Sequence, residues 1–183
     1  AHLEATKPDI EGIVLACHRR RVPIFVPAFS DCSAGFGLVM HQRRREQQGT
    51  PFITIDSAAD FKELTEIKTR NRDTGLFMLG GGVPKNFAQD IVVCAELLGD
   101  EAPMHKYAVQ ITVADSRDGA LSGSTLREAC SWGKVDVVDE QMVFGEATAL
   151  LPLLVSDMIH RGSAKNRRAK KFADLFETAA LQA

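Results

Sequence analysis

No stretch of this 183-residue sequence holds the ~18 consecutive apolar residues that a membrane-spanning helix requires. Its amino terminus has neither the charged nor the apolar region of a secretory signal. Cysteine is sparse: Cys17, Cys32, Cys94 and Cys130 stand far apart with no paired metal-ligand spacing, the pattern of reduced thiols rather than of a disulfide framework. The expected location is therefore the cytoplasm. His2, His18, His41, His105 and His160 include no pair one helical turn apart, so no metal site is expected. Charge of one sign is not in excess either. With 22 basic and 24 acidic residues, the formal net charge of -2 gives no global attraction to nucleic acid or to an anionic membrane. The one basic run, Arg161, Lys165, Arg167, Arg168, Lys170 and Lys171, has no interleaved aromatic residue to stack on bases and reads as a solvated helix face. Neither nucleic acid nor membrane is an expected partner.

What is present is an ordinary globular composition, 45% hydrophobic and 25% charged, long enough for one domain with a real core. Short β-rich runs alternate with longer amphipathic ones, the order that gives an α/β fold with parallel strands linked by helices. Helices are expected from Asp9 to about Arg20, from Ser57 to about Arg70 with Ser57 and Asp60 as a capping pair, and from about Pro84 to Leu98. A short helix capped by Thr125 and Glu128 and a strongly apolar one from Ala147 to about His160 complete the set. Strands are expected at residues 22–26, 52–55, 76–79, 107–113 and 135–143, and loops at 27–37 and 115–124. One domain over residues 1–183, without repeats or linkers, is the expectation.

Three features carry chemistry. A strand running into Gly80, Gly81 and Gly82 and then into a helix lets the backbone approach a ligand closely and offers free N–H groups to a phosphate. It is neither GxGxxG nor a phosphate loop, and glycine-rich turns also serve only to make tight corners. Lys134 follows the chain's only tryptophan in Ser131-Trp132-Gly133-Lys134. A desolvated lysine there offers a neutral amine to a carbonyl or imine, and Trp132 offers a face to a cationic amine. The competing reading is a core aromatic, a turn and a surface lysine. Asp31, Asp115, Asp118, Glu128 and Glu146 fall in loops or at strand-to-helix junctions, where carboxylates bind ribose hydroxyls or ammonium groups but equally cap helices and close turns.

Read in order, the segments Pro27-Ala28-Phe29-Ser30-Asp31, Leu79-Gly80-Gly81-Gly82-Val83-Pro84-Lys85, Asp118-Gly119 and Glu128-Ala129-Cys130-Ser131-Trp132-Gly133-Lys134 resemble the deoxyhypusine synthase family in motif and spacing. Gly145-Glu146-Ala147 through Pro152-Leu153-Leu154 continues the match, so the resemblance covers nearly everything from Pro8 to His160. It implies a three-layer α/β fold, a mostly parallel Rossmann-like sheet with helices on both faces, that binds NAD in a tetramer with active sites between paired subunits. It implies further that NAD oxidises an amine carbon to an imine, which Lys134 captures as the catalytic nucleophile. Asp31, Gly81, Ala114, Glu146 and Ala147 match NAD-contacting positions, with Glu146 where the family commonly has Asp. Trp132, Glu128, Gly119 and Asn86 match substrate-contacting positions.

The departures fall on the substrate side. Phe36 and Leu121 stand where the family has carboxylates that hold a polyamine's ammonium groups, and Asn86 replaces a histidine. An ammonium buried without its acceptors costs several kcal/mol. The expected activity is therefore NAD-dependent transfer of an aminobutyl group from a polyamine to a small amine, as in homospermidine formation. The alternatives are a non-catalytic NAD-binding regulatory module and a true deoxyhypusine synthase acting on a protein lysine. The family chain is about twice as long, so this sequence corresponds to its carboxyl-terminal half. Either the sequence is a fragment or it is one piece of a split enzyme; the expected partners are a polyamine substrate, a homo-oligomer and, in the second case, a separate amino-terminal half chain.

Overall fold

The computed structural model of the protein describes residues 2–7, 9–115, 117 and 125–180. Its chain contacts define two compact units, Val26–Ser156 and Ala1–Phe25 with Asp157–Ala183.

The larger unit is α/β. Helix α3 (Ser33–Gln47) and α4 (Ser57–Thr69) lead to strand β1 (Gly75–Leu79), helix α5 (Val83–Leu97), strand β2 (His105–Thr112), helix α6 (Leu126–Ser131) and strand β3 (Val135–Phe144). Helix α7 (Ala147–His160) follows. The strands form one parallel sheet in the order β1-β2-β3, with Leu79 opposite Ile111 and Thr112 opposite Phe144. Three consecutive buried residues, Gln110, Ile111 and Thr112, end the central strand. Such a run departs from the one-face-wet alternation and marks a strand covered on both sides at that end. Met78, Ala108, Leu126, Ala129 and Val135 form the core cluster, so α6 packs directly on the sheet. Along α5, Lys85, Gln89, Val92 and Ala95 recur at helical spacing on the buried side. Phe87 of α5 meets Phe61 of α4 with ring centroids 4.9 Å apart.

The expected strands β1 to β3 and the helices from Ser57 onward occur within a residue or two of their sequence positions. Several local expectations are corrected. The cap of α4 is Asp56, which accepts from the N–H groups of Ala58 and Ala59 at 3.0 Å each, so Ser57 is the first helical residue rather than the cap. Residues 22–26 and 52–55 are not strands. Their β-rich composition finds no neighbouring strand among the described residues. The backbone of Ile53 is instead served by α3, its oxygen accepting from Gln42 at 3.0 Å and its N–H donating to His41 at 3.3 Å. Val22, Ile24, Phe52, Ile53 and Ile55 remain 41% to 63% exposed. Helix α7, expected to pack on a sheet, has no buried residue. Its apolar side chains Leu153 and Ile159 stay exposed.

The expected loop over 27–37 is shorter. A 3-10 turn, Phe29–Asp31, is followed at once by α3, which contains Gly35 and Gly37. Gly35 is there for space: a Cβ on it would press on the Phe29 carbonyl oxygen and lie 2.8 Å from that of Ser30. Gly35→Ala is expected to destabilise the protein by about 1–3 kcal/mol through this overpacking, whereas Gly37→Ala, with open space around its Cβ, is expected to stabilise the helix slightly. Thermal melting of the two variants checks the contrast.

The smaller unit contains α1 (His2–Thr6), α2 (Ile13–Arg20) and α8 (Ala173–Ala180). Helix α2 begins later than expected because Gly12 takes an extended conformation as its cap. Arg21 closes it in the left-handed region, pairs with Asp174 at 2.6 Å and accepts from the Ala173 N–H at 3.1 Å. The basic run at 161–171 is turn and irregular chain rather than a helix face, and Arg161 pairs with Asp157 at 2.9 Å. No helix among the described residues is long and apolar enough to cross a membrane.

Candidate active site

Because the three strands are parallel, their carboxyl ends share one edge of the sheet. β1 ends at Gly80 to Gly82, β2 leads to Ala114, and β3 leads to Glu146 and Ala147. The topology thus brings Gly81, Ala114, Glu146 and Ala147 to that edge. Asp31 sits on the exposed 3-10 turn, its own N–H donating to the Ala28 oxygen at 2.9 Å. Gly119 and Leu121 lie outside the described residues.

The glycine turn has a built geometry. Gly80 and Gly82 take φ of 78° and 88°, and Gly82, with ψ of -152°, occupies a region nearly closed to other residues. The Gly80 N–H donates to the Ile111 oxygen at 2.8 Å, and its carbonyl accepts from the buried Gln110 amide at 2.9 Å. Among the described residues no side chain caps α5, and nothing lies within 4 Å of a Cβ placed on either glycine. Uncapped N–H groups at a helix start, reached across bare backbone, fit a dinucleotide's phosphates. Glu146 accepts from the Thr148 hydroxyl and from the Ala149 N–H, and the Thr148 bond holds its carboxyl below the usual carboxylate range. Its present work is to start α7. Asp115 is similarly engaged with Arg117, at 2.8 and 3.1 Å, and this side-chain bond lowers its pKa.

Lys134 is elsewhere on the sheet. Gly133 turns the chain at φ 72° after α6, and the Lys134 oxygen accepts from the His105 N–H at 3.0 Å, at the amino end of β3. Its side chain reaches back to α5, where Nζ stands 2.5 Å from Asp90 Oδ1. Asn86 Nδ2 donates to the other carboxylate oxygen at 3.1 Å. Asp90 lies seven residues beyond Val83, about 10 Å along the axis at 1.5 Å per residue. Helix α5 therefore carries the glycine turn at one end and the lysine's partner near its middle.

The exposure pattern is the reverse of the ordinary aromatic-turn-lysine reading. Trp132 is 67% exposed, while the Lys134 side chain is only 14% exposed, with Nζ 5.9 Å from the tryptophan ring centroid. Glu128 is exposed on α6, and its N–H donates to the Thr125 hydroxyl at 3.2 Å, confirming that cap. On α5, burial lowers the pKa of Lys85 against the raising pull of the Glu128 charge. Phe36, at 68% exposed on α3, presents no polar group.

Two residues were missed by motif reading. Asp90 belongs to no motif, although its spacing of four from Asn86 on a helix places the two side by side. Lys85 belongs to the glycine motif but was given no role. Beside Asp90 and Asn86 opens a cavity of about 380 Å³, lined also by Pro27, Ser57, Ala58, Phe61, Val83 and Phe87. Its apolar walls with one carboxylate and one amide suit a methylene chain ending in an amine.

Comparison with known proteins identifies the family. The family model for deoxyhypusine synthase matches residues 2–158. The chain is 59% identical over 168 residues to a deoxyhypusine synthase-like protein of Coxiella burnetii, covering 92% of this chain and 47% of that protein. It is 56% identical over 183 residues to the Chlorobaculum tepidum protein of the same description, covering 100% and 51%. A probable deoxyhypusine synthase 2 of Methanosarcina mazei is 42% identical over 167 residues, covering 91% and 46%. The chain thus spans about half the length of the curated relatives it matches, corresponding to their carboxyl-terminal half. On motif, sheet and similarity together, this chain belongs to the deoxyhypusine synthase family.

Proposed function

We propose that the complete protein catalyses NAD-dependent transfer of an aminobutyl group from a polyamine to an amine acceptor, with the group carried as an imine on Lys134. The observation that carries this reading is the covered Lys134 amine, held by Asp90 near an exposed indole, with Asp90 also lining an open, largely apolar cavity. Bound NAD would supply a hydride acceptor for oxidation of the donor's amine carbon and a hydride donor for the return. Gly81, Ala114, Glu146 and Ala147 at the carboxyl edge of the sheet, with Asp31, are the residues that would hold it. Trp132 presents its face to the cationic donor, Glu128 supplies a carboxylate to an ammonium, and Asn86 lines the substrate path, with Gly119 assigned to the substrate by the family resemblance alone. Lys134 attacks the oxidised carbon, and the Lys134 nitrogen replaces the departing amine.

The loss of carboxylates at Phe36 and Leu121 favours a small polyamine as acceptor, giving a product of the homospermidine type. The remaining length of the family chain would complete a three-layer sheet with helices on both faces. It would also cover the apolar side chains left exposed on residues 22–26, residues 52–55 and α7. A homo-oligomer, a tetramer by resemblance, working in the cytoplasm fits this reading.

The test is chemical trapping. Borohydride added to the complete enzyme with NAD and spermidine or putrescine is expected to fix the mass of an aminobutyl group on the peptide containing Lys134. Absence of that adduct during turnover would exclude the covalent route. Product analysis then separates homospermidine from a modified protein lysine.

A further inference from the structure

We infer that Asp90 is a positioning residue for Lys134: its carboxylate fixes the amine beside the cavity and takes the proton that the amine must release before attacking. The inference rests on the transfer reading above and adds a role within it. Both carboxylate oxygens are engaged, Oδ1 by Lys134 Nζ at 2.5 Å and Oδ2 by Asn86 Nδ2 at 3.1 Å, so the group is held from two sides. Asn86 and Asp90 share one face of α5, and both line the 380 Å³ cavity. A charge-assisted contact of this length defines where the nitrogen sits far better than a flexible four-carbon chain does unaided. The carboxylate that holds the nitrogen also lines the open apolar cavity.

An ammonium has no lone pair, so attack needs a proton acceptor within reach. Among the described residues Asp90 is the carboxylate paired with Lys134, whose Nζ also stands 5.9 Å from the Trp132 ring centroid. The Glu128 charge on α6 acts on Lys85 of α5. One proton passes from Nζ to Asp90 as a bond forms between Nζ and the carbon of the protonated substrate imine. The bond from that carbon to the departing amine then breaks. The departing amine leaves as an ammonium with two protons that began on Lys134, one by way of Asp90, which regains its negative charge. Lys134 keeps one proton and the positive charge as a protonated imine.

The experiment uses the complete enzyme with Asp90→Asn, which keeps the shape and an oxygen for Asn86 to donate to, and Asp90→Glu, which keeps the charge. Labelling of Lys134 by butanal with cyanoborohydride, quantified at one fixed pH by mass spectrometry, reports the amine directly and needs neither NAD nor polyamine. Asp90→Asn is expected to change the rate of Lys134 labelling several-fold, because the carboxylate that holds the amine and takes its proton has been removed. It is also expected to cut kcat by about 10²-fold with KM changed only a few-fold, and Asp90→Glu to recover part of kcat. A labelling rate in Asp90→Asn equal to that of the wild type overturns the inference, as does an unchanged kcat. A wild-type enzyme that gives no polyamine adduct defeats the transfer reading instead, while the aldehyde labelling still decides whether Asp90 governs Lys134.

Discussion

Lys134→Arg is expected to reduce aminobutyl transfer by at least about 10³-fold, roughly 4 kcal/mol of barrier, while leaving the protein folded and able to bind NAD. The substitution is chosen for what it keeps. Arginine carries the same charge to the same neighbourhood, and its planar fork pairs with a carboxylate at least as well as an ammonium does, so the contact with Asp90 survives. What it cannot do is present a neutral nitrogen: the guanidinium does not deprotonate in proteins and forms no stable imine with an oxidised amine. If Lys134 served only to balance Asp90 at the amino end of β3, Lys134→Arg would be nearly silent. Steady-state turnover with borohydride trapping, alongside calorimetry for NAD, separates the two outcomes. A variant retaining turnover within tenfold of the wild type would remove the lysine from the chemistry.

How far the sequence alone carries depends on whether a feature is local. The strands at 75–79, 105–112 and 135–144 were legible because each is bounded by turn chemistry and joined to a helix with its own start signal. The runs at 22–26 and 52–55 look the same in composition, yet a strand is a relation between two segments, and composition reports only one of them. Where no partner strand is in reach, Gln42 and His41 bind the backbone of Ile53 instead. Gly35 and Gly37 made the start of α3 look like a loop, because intrinsic propensity counts glycine against a helix while the crowding at Phe29 and Ser30 requires it. In the site, Lys134 and Trp132 were legible as a motif. The inversion of their burial was not, since it depends on the turn at Gly133 and on α5 lying alongside. Asp90 was the least legible, because it sits 44 residues before Lys134 in sequence, with β2 and α6 intervening.

The same sheet edge that receives Lys134 holds a buried polar chain with a consequence in acid. Lys68, 1% exposed, donates to the Thr74 hydroxyl at 2.8 Å and contacts the Arg72 oxygen at 3.4 Å. Thr74 stands 2.9 Å from His105 Nδ1, and His105 Nε2 stands 3.1 Å from the Ala88 oxygen. The Ala88 carbonyl can only accept, so Nε2 carries the proton and Nδ1 accepts from Thr74, which accepts in turn from Lys68. Every partner is satisfied with the imidazole neutral. Burial, helped by the neighbouring Lys68 charge, lowers the His105 pKa from 6.5 to about 4. Since the unfolded chain binds this proton more readily than the folded one, stability from this group is complete above pH 6.5 and is lost as pH falls toward 4. The gap corresponds to about 3 kcal/mol, most of it gone by pH 4.5. Urea unfolding of the complete protein at pH 7 and pH 4.5 is expected to show this loss beyond the share due to carboxylates. His105→Gln, which keeps a donor and an acceptor without a titrating ring, is expected to be less stable at pH 7 yet to lose about 2–3 kcal/mol less on acidification. Equal acid slopes for wild type and His105→Gln would mean that the buried ring is not what couples this edge of the sheet to pH.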